Sequence, residues 1–243
     1  MSKVNTDAIK PRDTGLDITL GATGDTTVIS ADSINANTVK DSGGNTLWTS
    51  DGSGNLSSVN SQLKGSEVLI LSQTASNSAS VSFTANIDST YNVYIFRCIA
   101  INPATDAQMF RFNASSDGGS NYNVVKTTTY FSAEHNEIDT SAGITYETGY
   151  DLAQSADPQI LARETGNESD ENCSGELILF NPASTTYLKH FYATFNNYFY
   201  TGFTMNSFIG GYLNTASAID AIQFTVASGN FDGKIKMYGM STT

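Results

Sequence analysis

Apolar residues recur along this chain with a period of two, and no stretch carries them at the 3.6-residue spacing of a helix. In "TYNVYIFRCIAI", Tyr91, Val93 and Ile95 fall on one side of a strand while Tyr94, Phe96 and Cys98 fall on the other. Near the end, Ile222, Phe224 and Val226 share a side, and Ile235 and Met237 alternate with Lys234, Lys236 and Tyr238. Between Ser66 and Met240 there are roughly eight to ten such runs, separated by turns of Gly, Asn, Asp and Ser. Pro103 to Asp106 makes one turn, and "FNASSDGGSN" another. Short strands at this spacing predict an all-β fold, with a jelly-roll-like antiparallel β-sandwich over residues 66–243.

Composition agrees. Only 15% of residues are charged, against a norm of roughly 25%, and neutral Ser, Thr, Asn and Gly take their place. Exposed helix faces use Glu, Lys, Arg and Gln, so this profile suits strands and turns instead.

Residues 1–65 have a different texture. "DSGGNTLWTSDGSGNLSSV" carries nearly the same phrase twice, with a lone apolar residue after each turn. Leu16, Ile18, Leu20, Leu47, Trp48 and Leu56 recur in a background of Gly, Ser, Asn and Asp. That is too little apolar surface to offset the entropy of ordering a single chain. Three copies side by side would close a thin hydrophobic axis on these six residues, making the segment an extended β-rich shaft or attachment segment of a homotrimer. A Gly/Ser linker is the plainer alternative. The later strands point the same way. "NVYIFRCIAI" and "YATFNNYFYTGF" are apolar on both sides, whereas an antiparallel sandwich keeps its outer face wet. A second apolar face calls for cover by another copy.

The net charge is −12, of which −2 falls in residues 1–65 and −10 in the remainder. Such a balance argues against nucleic acid, which needs Lys and Arg at its phosphates, and against an anionic membrane surface. No apolar stretch reaches the roughly 18–20 residues of a membrane-spanning helix, and "MSKVNTDAIKPRDTGLDITL" lacks the apolar region of a secretory signal. The expectation is a chain made and assembled in a cytoplasm. Cys98 and Cys173 then read as reduced, buried thiols, with a single bridge as the alternative.

Candidate chemistry is sparse, and no catalytic residue, metal ligand or cofactor site is assigned. His135 in "SAEHNEID" and His190 in "YLKHFYA" lack metal-ligand spacing. "ETGNESDEN" offers Glu168, Asp170 and Glu171 for Ca²⁺ but not the spacing of a calcium loop. A glycosidase needs two carboxylates held across a cleft, which no pair in the sequence specifies. The stretch from Tyr187 to Phe203 is the one with binding chemistry. Tyr187, Tyr192, Tyr198 and Tyr200, beside Asn side chains, could stack on sugar rings of a host glycan or fill a subunit interface. In the same stretch, alternation puts Phe191, Ala193 and Phe195 together on one sheet face.

Several phrases resemble fibre-like virion proteins of tailed bacteriophages, particularly marine ones. "MSKVNTDAIKPRDTGLDITLGATGDTTV" resembles their N-terminus, and "GGNTLWTSDGSGNLSSV" the phrase that follows it. "MFRFNASSDGGSNYN", "SGELILFNP" and "IDAIQFTVASGNFDGKIKMYGM" are similar to their β-rich tip domain. The resemblance implies a non-enzymatic homotrimer in the virion, attached to other virion proteins by its N-terminal segment, with a β-sandwich projecting outward. It covers tail fibres and capsid fibres or decoration proteins alike. With 243 residues the chain has no long shaft, which favours a short spike or surface knob.

Overall fold

A computed structural model describes residues 37–53, 55–60 and 66–240, which contain strands and turns and no helix. Leu16, Ile18 and Leu20 lie outside the described residues. The chain divides into two compact units, residues 1–59 and 60–243.

The first unit is an antiparallel meander of β1 (Thr38–Lys40), β2 (Thr46–Ser50) and β3 (Leu56–Val59). Its two hairpin loops are copies of one device. Asp41 Oδ1 accepts the backbone N–H of Gly43 at 2.9 Å and of Asn45 at 2.8 Å, while Asn45 Nδ2 donates to Asp41 Oδ2 at 3.0 Å. Asp51 repeats this with Ser53 at 2.7 Å, Asn55 at 3.2 Å and Asn55 Nδ2 at 2.9 Å. The repeated phrase is therefore an Asp-x-x-x-Asn clamp, which satisfies the loop amides that a tight hairpin leaves over. Gly44 (φ 81°) and Gly52 (φ 80°) take left-handed positions in these loops, at different steps after the Asp.

The second unit contains β4 (Glu67–Ser78), β5 (Ser80–Phe83), β6 (Val93–Pro103), β7 (Gln108–Ser115), β8 (Lys126–Asn136) and β9 (Ala142–Tyr146). It continues with β10 (Gln159–Thr165), β11 (Cys173–Phe180), β12 (Lys189–Phe199), β13 (Phe203–Leu213), β14 (Ala221–Val226) and β15 (Phe231–Met240). These twelve strands form one antiparallel, nearly closed sheet. Eight run side by side in the order β4-β15-β6-β11-β12-β13-β8-β9. Four more, β10-β7-β14-β5, join them where Thr165 pairs with Phe199. Twelve strands exceed the eight to ten runs in the sequence because the aromatic stretch from Tyr187 to Phe203 spans β12 and the start of β13, and β9 has no buried side chain to reveal its period.

The two layers meet across phenylalanines. Phe110 and Phe112 of the four-strand layer contact Phe195 (5.9 Å between ring centroids) and Phe191 (5.0 Å) of the eight-strand layer. Phe83, Phe96, Phe224 and Phe231 complete a buried aromatic core. Full burial of one such side chain contributes about 1.5–3 kcal/mol, so these rings dominate the driving force. The expected alternation holds: Tyr94, Phe96 and Cys98 face inward, as do Phe191, Ala193 and Phe195, then Ile222, Phe224 and Val226. The third Asp-x-x-x-Asn clamp, Asp117 with Asn121 (2.7 and 2.9 Å), shapes the loop after β7.

Candidate functional site

Register defines the solvent side of the eight-strand layer. One row across it reads Tyr146, Phe131, Phe208, Thr194, Glu176 and Arg97. The neighbouring row reads Thr129, Gly210, Tyr192, Ile178, Ile95 and Tyr238. Phe131 and Phe208 stack with centroids 4.9 Å apart, and Phe180 lies 5.4 Å from Tyr192. Phe131, Ile144, Tyr146 and Tyr192 are exposed, Ile144 by 77%.

A hollow of about 280 Å³ opens over Gly210, walled by Phe131, Tyr192, Thr194 and Phe208. From β9 to β12 the outward positions hold no Asp, Glu, Lys or Arg. Charge enters this side on the other four strands, β11, β6, β15 and β4, where Lys236 pairs in register with Arg97 across β15 and β6 and Arg97 binds Glu67 (2.7 Å) and Glu176 (3.4 Å) and lies over Tyr238. The opposite outer side, on the four-strand layer, is polar: Ser80, Ser82, Gln223, Thr225 and Arg111. The two outer sides of the unit therefore differ in kind.

The four tyrosines singled out in the sequence do not form one platform. Tyr192 stands at the centre of the apolar side. Tyr198 lines a separate cleft of about 230 Å³ at the end of the layer, with His135, Glu137, Asn196 and Thr204. Its hydroxyl is 3.5 Å from Glu137 Oε2, and desolvation together with that carboxylate raises its pKa. His135 Nε2 is 3.0 Å from Asp139, and Asn196 Nδ2 donates to Thr204 Oγ1. Tyr187 and Tyr200 are exposed outside the strands, Tyr200 packing on Phe199.

In the first unit, register places Val39, Trp48 and Val59 in one row on one side of the sheet, with Leu56 paired to Ser50 beside it. Leu47 faces the other way by alternation. Among the described side chains of residues 37–60 none is buried; Leu47 and Trp48 are half-covered and Leu56 is 58% exposed. The sequence reading missed Val39 and Val59, which lie across the hairpins from Trp48.

A partly buried charge cluster was also not visible in the sequence. Arg163 binds Glu147 at 2.8 Å and Glu134 at 3.3 Å, and lies over the rings of Tyr150 and Phe199. Ser132 donates to Glu147 at 2.9 Å. One guanidinium pairs with both carboxylates, which leaves the cluster one net negative charge and ties β8, the segment after β9, and β10 together. Among the described residues no group of three His, Cys, Asp or Glu side chains is placed to hold a metal. The acidic loop folds on itself instead, Glu171 Oε2 accepting the Glu168 amide. Cys98 and Cys173 are free and buried, and burial pushes the Cys173 thiol up to about 12. Thiols so protonated are poor nucleophiles. Compared with protein-family models, curated proteins and solved structures, the chain matches none.

Proposed function

We propose that the chain is a non-enzymatic structural component of a tailed-bacteriophage virion, a short homotrimeric fibre or spike with an N-terminal attachment segment and a jelly-roll-like head. The observation that carries the oligomer is the first unit. Its described side chains include Val39, Leu47, Trp48, Leu56 and Val59, and a single chain buries none of them. Among the described residues nothing fully covers these side chains, so little apolar burial offsets the entropy of ordering the sheet, and neighbouring copies supply the missing cover. The virion setting rests on the sequence phrases that resemble fibre-like phage proteins. Light scattering on the purified full chain tests the oligomer: a mass of three times 26.0 kDa at micromolar concentration is expected. A monomer would sink the reading. Immunogold labelling of purified particles tests the setting, and label that stays in the unassembled fraction counts against it.

The end cleft favours a second reading, recognition of a host surface glycan. Tyr198, Asn196, His135 and Glu137 combine a ring with hydrogen-bonding groups in one concavity, the chemistry that sugar hydroxyls and C–H faces require. Binding of the full chain to a glycan array, lost in Tyr198→Ala, supports it; equal signals from both chains remove it.

A further inference from the structure

We infer that the part of the eight-strand layer's solvent side from β9 to β12, centred on Gly210, is a contact surface between the heads of neighbouring copies. The inference rests on the homo-oligomer reading and names the surface it uses.

Three observations point to a second copy as the occupant. The first is charge. The chain carries −12 overall, so two copies repel across most orientations. The outward strand positions from β9 to β12 hold no Asp, Glu, Lys or Arg, and there, with the Asp151 carboxylate bound by the Tyr146 hydroxyl at one edge, two acidic copies can approach with less of that penalty. A partner recognised by opposite charge would seek the acidic surface instead.

The second is composition and shape. Phe131, Ile144, Tyr146, Tyr192 and Phe208 make a continuous apolar surface, of the kind soluble monomers seldom leave uncovered. The hollow over Gly210 gives it a socket. Gly210 lies between Thr129 and Tyr192 in its row, so one missing side chain creates the depression.

The third is the tether. Val59 ends β3 and Glu67 begins β4, and eight residue steps span at most about 28 Å. Copies associated through their first units therefore hold their heads at a local concentration in the millimolar range. A surface of modest intrinsic affinity is then occupied.

Gly210→Glu is the decisive variant. A Cβ there meets only Thr129 Oγ1 at 3.8 Å and the backbone φ is not positive, so the fold accepts it while a charge enters the socket. Ser80→Glu, on the polar outer side, is the control. The full-length chains are compared by sedimentation across a dilution series and by hydroxyl-radical footprinting. Gly210→Glu is expected to weaken assembly about tenfold or more. It should also restore oxidation of Phe131 and Tyr192, which the wild-type oligomer suppresses, whereas Ser80→Glu matches wild type. Equal oxidation of these rings in wild-type and Gly210→Glu oligomers would overturn the surface while leaving the oligomer standing. A monomeric wild type overturns both. Maltohexaose and N-acetylglucosamine hexamer form a second arm. If either protects Phe131 and Tyr192 in a wild type whose mass is unchanged from Gly210→Glu, the occupant is a glycan and the inference fails.

Discussion

Phe131 and Phe208 stack on the solvent side of the head, centroids 4.9 Å apart and planes 12° from parallel. Across the layer, Phe195 meets Phe110 in the core at 5.9 Å. Similar rings in the two places carry different weights. Phe195→Ala leaves a cavity in a filled interior and should cost about 3–5 kcal/mol. Phe208→Ala loses a half-exposed ring contact and should cost under about 1.5 kcal/mol. Urea unfolding of both variants under one association state checks the ordering; equal losses would mean that the outer pair is as deeply packed as the core.

The clamp loops predict an acid response. Hydrogen bonds from the Asn121 side chain first, then from Ser115 and the Asn121 amide, hold the Asp117 carboxyl down to about 2. A depressed carboxylate stabilises the fold above its unfolded pKa of about 3.9. That contribution is lost as pH falls toward the folded value. Wild type should therefore lose stability more steeply than Asp117→Asn between about pH 4 and 2. Thermal melts at stepped pH read this directly, and parallel curves would contradict it.

These loops also mark how far the sequence could be read. The repeat was visible in "DSGGNTLWTSDGSGNLSSV", but its working unit begins at Asp41 and Asp51, where the carboxylate gathers the loop amides, and the same unit recurs unannounced at Asp117. Inward sets such as Phe191, Ala193 and Phe195 were legible because a strand fixes its own alternation. Cross-strand relationships were not. Ile95 lies on the outer side yet is 4% exposed, sitting between Tyr238 and Ile178 from two other strands. Nor could spacing place Tyr192 on the apolar side and Tyr198 in the end cleft.

Arg163 is 14% exposed, as is Glu147, and their ion pair is 2.8 Å long. Removing one partner of a fully buried pair costs about 3–5 kcal/mol, and water reaches this one in part, so Arg163→Met should show a smaller loss of about 1–3 kcal/mol. Arg163→Met/Glu147→Gln should recover part of it, the two changes falling short of additivity by about 0.5–3 kcal/mol. A strictly additive double-mutant cycle would show that the guanidinium is held by its ring contacts and not by the carboxylate.

Lys126 is fully buried, and its Nζ donates to the Asp157 carbonyl at 2.7 Å. Burial pulls its pKa down to about 8, partly opposed by the Asp157 charge. Between that value and the unfolded pKa of about 10.4 the unfolded chain binds more protons. Stability contributed by this group therefore rises with pH across that window. The urea midpoint of wild type should gain on that of Lys126→Met from about pH 8 to 10, and a gap independent of pH would refute the shift.

Trp48 is the chain's single tryptophan and stands in register with Val39 and Val59 on a sheet whose described side chains are all at least partly exposed. Its indole therefore reports on whether copies cover that side. Diluting the assembled chain should move its emission to the red and open it to acrylamide quenching, in step with the fall in mass seen by light scattering. Leu56→Ser, beside the same row, should shift both transitions to higher protein concentration without altering the head's unfolding. If the mass falls while the emission stays fixed, the copies associate elsewhere and Val39, Trp48 and Val59 lie off the contact. If neither changes on dilution and the mass is that of one chain, the first unit is self-sufficient and the oligomer reading loses its main support.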